Sequence, residues 1–239
     1  MDLVQALSLF SPLDGAAIAF ILFLSVAIGW LIDHPGTRRP SVSVLMMQYR
    51  HEWMAEMVTR DPRIFDSSVL DGLRQGITFY ASACMIAIGS GLALVGNSAP
   101  LQGLASELTL AAADALVLKV KVLLVLAFII NAFLKFVWSH RLFGYCSIMM
   151  AAVPNDVTNP ECYPRAAQAA EINITAGRSY NRGLRSVYFA LGALGWFLGP
   201  VPLLLSAIAT MLVLLRSEFA SQSRQIMLTR GGPPSQPTR

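Results

Sequence analysis

The stretch VLLVLAFIINAFLKFVW, residues 122–138, decides the fold. All but two of its side chains are apolar, and the two exceptions are Asn131 and Lys135. With its flanks the run reaches the roughly 20 residues that cross a hydrocarbon layer about 30 Å thick. A charged side chain at the centre of that layer costs about 2.5 kcal/mol or more. Asn131 and Lys135 must therefore face protein or trapped water. The reading is an all-α integral membrane bundle with a polar stripe on one span.

Composition agrees. Hydrophobic residues make up 55% of the 239-residue chain and charged ones only 13%, which suits an outer surface solvated by lipid. The net charge of +4 is spread along loops rather than along one helix face, which argues against a nucleic-acid partner. Cys84, Cys146 and Cys162 fit no zinc or redox spacing and read as small apolar side chains. The N-terminal residues carry acids and no Lys or Arg, so the first apolar run is expected to be a retained anchor, not a cleaved signal.

Working outward, spans are expected near residues 14–32, 77–95, 116–138 and 184–215, within one domain over residues 1–216. A polar tail over 217–239 ends in GGPPSQPTR, a composition typical of disorder. Residues 41–59 form an amphipathic helix with Val42, Leu45, Met46, Tyr49, Trp53 and Met57 on one face. It is either a helix lying in the membrane surface or one packed on its neighbours. Ala166, Ala170, Asn173 and Gly177 share a face of a further helix over 165–180, after which Asn181-Arg182-Gly183 punctuates the chain. The last apolar run holds Gly199, Pro200 and Pro202. It is either one kinked span, the favoured reading, or a hairpin that turns back there.

Arginine bias orients the bundle. The loops over 33–75 and 139–185 hold most of the arginines, and 96–114 holds none. The expectation is a multi-pass protein of the cell inner membrane with basic loops cytoplasmic and the N-terminus outside. Four spans would put the tail outside as well, against the pull of Arg216, Arg224, Arg230 and Arg239.

Three sets of residues carry the chemical possibilities. On a 100° wheel Asp114, Lys121, Asn131 and Lys135 share about a quarter turn, an arc suited to an ion or proton path. The competing reading sends Lys121 and Lys135 to opposite interfaces, because 14 residues span roughly 21 Å of helix. Arg50, Arg60 and Arg63, with Arg182 and Arg185, form a second set suited to an anionic lipid headgroup or phosphate. The alternative is that they form Arg–Asp pairs shaping a basic loop. Ala83, Ala87 and Gly91, and separately Gly195 and Gly199, have the small-residue spacing of close helix packing, the second pair suiting a homo-oligomer face. His51 with Glu52 and Glu56 lacks the second histidine of a zinc helix, and no base accompanies any Ser or Cys nucleophile. No metal and no cofactor is expected.

RHEWMAEMVTRDPRIFD (50–66), NITAGRSYNRGLRSVYFALGALGWF (173–197) and LLRSEFASQS (214–223) resemble a family of bacterial and plant membrane proteins known as domain of unknown function five hundred and ninety-nine. The resemblance covers roughly residues 15–225 and is most distinctive at Asn181-Arg182-Gly183-Leu184-Arg185, then Tyr188, Phe189 and Trp196. It implies a multi-pass helical architecture and brings no activity, substrate or cofactor. The functional expectation is a non-enzymatic structural or accessory component, in the lipid bilayer with possible anionic-lipid contacts, as a homo-oligomer or a subunit of a larger complex. An ion channel or transporter built on the span-three arc is the alternative.

Overall fold

A computed structural model describes residues 10–34, 39–97, 99 and 115–229. Among these there is no strand; the elements are helices α1 (Pro12–Asp33), α2 (Val42–Met57), α3 (Ile64–Gly96), α4 (Ala115–Ala151), α5 (Cys162–Ala193), α6 (Pro200–Phe219) and α7 (Gln222–Leu228). A short 3-10 turn, Leu194–Leu198, joins α5 to α6. Four helices are long and apolar enough to cross a membrane: α1, α3, α4 and the α6–α7 stretch.

Local chemistry sets the helix starts. Ser11 caps α1 in a reciprocal box with Asp14, and Pro12 occupies the first turn, where a missing N–H loses nothing. Ala17, Ile21, Leu24, Ile28 and Ile32 then recur every three or four residues and form the buried stripe of α1. Ser41 caps α2, and its hydroxyl also donates to Ile32 O at 3.0 Å, tying α2 to the end of α1.

The α4–α5 pair is the spine. The two helices run antiparallel, as contacts from one end to the other show: Phe128 stacks on Phe189, Asn131 meets Ser186, Ser139 donates to Ala176 O and Cys146 to Ala169 O. Small residues on α5 permit this approach. A Cβ built on Gly183 would stand 2.6 Å from the Phe136 ring. Ala166, Ala170, Asn173 and Gly177 are all buried there. Gly183 is thus a packing residue inside an unbroken helix, and the expected break at Asn181–Gly183 does not occur.

Two cores flank the spine. One gathers Met54 and Met57 of α2, Leu70 and Ile77 of α3, and Phe136 and Phe143 of α4. The other gathers Ile21 and Ile28 of α1, Phe128 of α4, Phe189 of α5, Trp196 of the turn, and Leu203 and Ala207 of α6. α3 docks through Leu70, Ile77, Cys84 and Gly91, a seven-residue repeat. Only Gly91 of the expected Ala83–Ala87–Gly91 face lies on it, pressed against Leu126; Ala83 and Ala87 are exposed. A step of four advances the wheel by 400°, so the three residues drift off the seam.

The last apolar run is not one kinked span. The chain reverses at Gly199, whose φ of 125° lies in the region that glycine tolerates. Beyond the turn Ser206 Oγ donates to Gly192 O at 2.6 Å, so α6 runs back along α5. A Cβ on Gly195 would meet Ser206 Oγ at 2.5 Å and Pro202 O at 2.8 Å. Gly195 and Gly199 therefore build this hairpin within one chain.

The reversal puts Asp14, Lys121 and Gly199 at one end of the bundle. Asp33 and the end of α6 lie away from it, level with the middle of α4 and α5, and α2 runs from there toward the α4–α5 loop. The tail begins later than expected: α6 continues past Arg216, and α7 folds onto α2, with Arg224 Nε donating to Pro40 O at 2.9 Å and Tyr49 OH to Met227 O at 3.4 Å. Residues 230–239, expected to be disordered, lie outside the described residues. Of the two readings of α2, packing on neighbours is the observed one, with Leu45, Met54 and Met57 buried and Tyr49 turned outward.

Candidate functional site

α1 ends in Asp33, an acid at the negative pole of the helix dipole, where a carboxylate is unfavourable unless a cation answers it. Two do. Arg182 Nε donates to Asp33 Oδ2 at 2.8 Å and Arg185 Nη2 to Asp33 Oδ1 at 2.9 Å. Asp33 and Arg185 keep only 8% of their side-chain surface, whereas Arg182 keeps 48%. The second fork arm of Arg185, Nη1, is buried without an acceptor. Such an orphaned charged donor costs several kcal/mol unless something binds it.

These groups line a cavity of about 460 Å³ between α1, α4 and α5. Asn131, Lys135 and Ser186 share the wall, with Trp30 and His34 nearby. The Trp30 and His34 rings stack at 5.5 Å, an amphipathic pair of the kind found at the headgroup level. Asn131 Nδ2 donates to Ser186 Oγ at 2.7 Å, and Ser186 Oγ to Arg182 O at 3.2 Å. Lys135 stands within electrostatic reach of Arg182 and Arg185, and its carbonyl accepts from Ser179 Oγ at 3.0 Å. One carboxylate thus faces three cations across a single cavity.

The cavity joins members of two sets that the sequence keeps apart. Asn131 and Lys135 come from the expected polar arc, and Arg182 and Arg185 from the arginine set. The rest disperse. Lys121 sits at the opposite end of the bundle, its Nζ 5.8 Å from the Trp196 ring centroid. Asp14 shares that end and accepts from Trp196 Nε1 at 2.7 Å. Asp114 lies outside the described residues. The arc is therefore divided between the two ends.

Of the remaining arginines, Arg60 and Arg63 serve loop architecture, and Arg50 joins α2 to α5. Arg60 pairs with the fully buried Asp66, which also accepts from Trp53 Nε1 at 2.7 Å. Arg63 donates to Val153 O at 2.7 Å and Pro154 O at 2.8 Å, pinning the α2–α3 corner to the α4–α5 loop. Arg50 turns inward to the Asn173 side chain and lies 5.8 Å from the Phe143 ring; burial lowers its pKa from the ordinary value. Arg50, Arg60 and Arg63 thus do not join Arg182 and Arg185 in one anion fork. His51 pairs with Glu171 at 3.2 Å on the surface. Among the described residues no three His, Cys, Asp or Glu side chains come together.

Sequence reasoning missed Asp33, Glu218 and the Asp14–Trp196 bond. A signal existed for the first: an acid in the last turn of an apolar helix predicts a basic partner. Glu218, whose carboxylate accepts from Ser43 N at 3.0 Å and Ser43 Oγ at 2.9 Å, lies 175 residues from its partner and left no local trace.

Apolar helices around a spine of small residues, with their charges gathered at two ends, define a helical membrane protein. The family model described as protein of unknown function, DUF599, matches residues 16–223, and the chain belongs to that family. No curated protein and no solved structure matches it.

Proposed function

We propose that this chain is a non-enzymatic component of a cell inner membrane, structural or accessory to a larger assembly, that holds an anionic group in the α1–α4–α5 cavity. The observation that carries the reading is Arg185. It is buried, it spends one fork arm on Asp33, and its other arm has no acceptor. Lys135 and Arg182 add positive charge on the same walls. A phosphate or carboxylate supplies the missing acceptor, and Arg forks suit both. Trp30 in the lining supports a cavity at headgroup height, so the group we favour is that of an anionic lipid. An ion-conducting path is disfavoured because Lys121 and Lys135 sit at opposite ends, and Asn131 is engaged with Ser186.

The orientation we propose has five passes, α1, α3, α4, α5 and α6, which adds α5 to the four long apolar helices. The apolar half of α5, together with α4 and α6, crosses, and the Asp33 end with its arginines faces the cytoplasm. This removes the conflict over the tail, since Arg216 and Arg224 then share the cytoplasmic side. A tag after Arg239 should be shielded in intact cells, and labelling of that tag from outside would overturn the orientation.

Native mass spectrometry of gently extracted protein tests the site. Phosphatidylglycerol should be retained over phosphatidylcholine, and the double change Lys135→Gln, Arg182→Gln should reduce its retention about tenfold or more, equal to about 1.4 kcal/mol. Equal retention of both lipids by the unaltered protein would end the proposal.

A further inference from the structure

A second polar cavity, about 340 Å³, lies on another side of α5 beneath α2, and it shares no lining residue with the first. Ligand pockets run from about 300 to 1,000 Å³, so its size admits a small headgroup. Its walls include one cation, Arg50, and one carboxylate, Glu218, with Tyr180 and Phe143 as aromatic surface. Gly76 of α3 also lines it, one turn beyond Gly72.

The glycines bound the cavity on its α3 side. Glycine inside a helix is destabilising by roughly 0.5–1 kcal/mol relative to alanine, and close packing usually explains it. Gly91, Gly183 and Gly195 have that explanation, because a Cβ on each would collide with a neighbour. Gly72 and Gly76 do not: a Cβ on either would meet nothing within 4 Å. Gly89 and Gly144, which do not line this cavity, have the same open space, so Gly72 and Gly76 mark only that the α3 side of the cavity is open.

Charge then selects the occupant. Arg50 gives one fork arm to Asn173, while its Nη2 and Nε lie beside Gly177 on the cavity wall. Both oxygens of Glu218 accept from Ser43, and each carboxylate oxygen can accept a second bond. Tyr180 adds a ring face of the kind that attracts ammonium groups. We propose that this cavity binds a phosphoethanolamine group, with its phosphate on Arg50 and its primary ammonium on Glu218. A primary ammonium donates hydrogen bonds to a carboxylate; a choline nitrogen has no hydrogen to give. The group belongs to a lipid or to a free phosphate ester, and the chemistry is the same.

The test uses the full chain in detergent and reads its thermal midpoint with short-chain phosphatidylethanolamine, phosphatidylcholine, phosphatidylglycerol and free O-phosphoethanolamine. Phosphatidylethanolamine should raise the midpoint by several degrees and phosphatidylcholine by less than half as much. A shift with the free ester alone identifies a soluble source, and one with the lipid alone a lipid source. Gly76→Leu should leave the unliganded midpoint unchanged or higher and abolish the phosphatidylethanolamine shift, while leaving any phosphatidylglycerol shift intact. Glu218→Gln, which keeps an acceptor for Ser43, should weaken phosphatidylethanolamine binding at least tenfold. No shift with either ethanolamine probe, equal shifts with ethanolamine and choline lipids, or a full shift in Gly76→Leu would each overturn the proposal. Loss of the phosphatidylglycerol effect alone, in the Lys135 and Arg182 variant, bears only on the first cavity.

Discussion

The two ends of the bundle solve the same problem differently. At one, Asp14 is answered by Trp196 Nε1 and by Ser11, with Lys121 lying over the Trp196 ring. Acid and base are roughly matched there, and the buried Trp196 is part of the core. At the other, a single carboxylate, Asp33, is shared by two arginines with a lysine close by, and one arginine donor is left over. A matched cluster is explained by the fold alone. A cluster with a buried donor left over is not closed by the side chains around it, and the anionic group proposed above would close it.

Substitutions can break or sharpen this contrast. Asp33→Asn should have the largest effect, about 3–5 kcal/mol, because it leaves Arg185 buried and unpaired. Unfolding of the purified protein in a denaturing detergent titration reads it, and added phosphatidylglycerol should recover part of the loss. Failure of an anionic lipid to recover any of it would mean that the two ends do not differ in the way argued. Trp196→Phe at the opposite end should cost about 2 kcal/mol, as expected for a hydrogen bond to a charged group, with no recovery by lipid in the same titration. Ser186→Ala removes the acceptor for Asn131 and should cost about 1 kcal/mol. Its thermal midpoint should fall, while retention of phosphatidylglycerol should fall only slightly. Lys121→Met is expected to be the mildest, about 0.5–1 kcal/mol, since it removes one cation–π contact and keeps the stem. A larger loss would mean that Lys121 holds more of that end together than the geometry implies.

Much of the architecture was legible because lipid solvation writes long apolar runs. Residues 14–32, 77–95 and 116–138 fall inside α1, α3 and α4. α5 was harder. Its sequence mixes Ala, Gly, Asn and Arg, which reads as a short surface helix followed by a break. Burial there comes from neighbours on several sides, not from its own apolarity, and no local pattern reports neighbours. The candidate site was legible in pieces for the same reason. Asn131 and Lys135 stand out within an oily run, and Arg182 and Arg185 within a distinctive motif. That they share a cavity depends on the antiparallel register of α4 and α5. The contact of Asp33 with Arg182 and Arg185 joins positions about 150 residues apart.

The reversal at Gly199 bears on how the chain is made. The oily end of α5 together with the 3-10 turn, residues 187–198, falls short of the roughly 20 residues that partition into a bilayer unaided. In the five-pass arrangement it enters only as the first leg of a hairpin whose second leg, α6, supplies the hydrophobic drive. Biogenesis should then stall short of completion when the ribosome has reached Gly199 and proceed once α6 has emerged. Nascent chains arrested at successive lengths, assayed for carbonate resistance of the α5 segment, would show a step at that point.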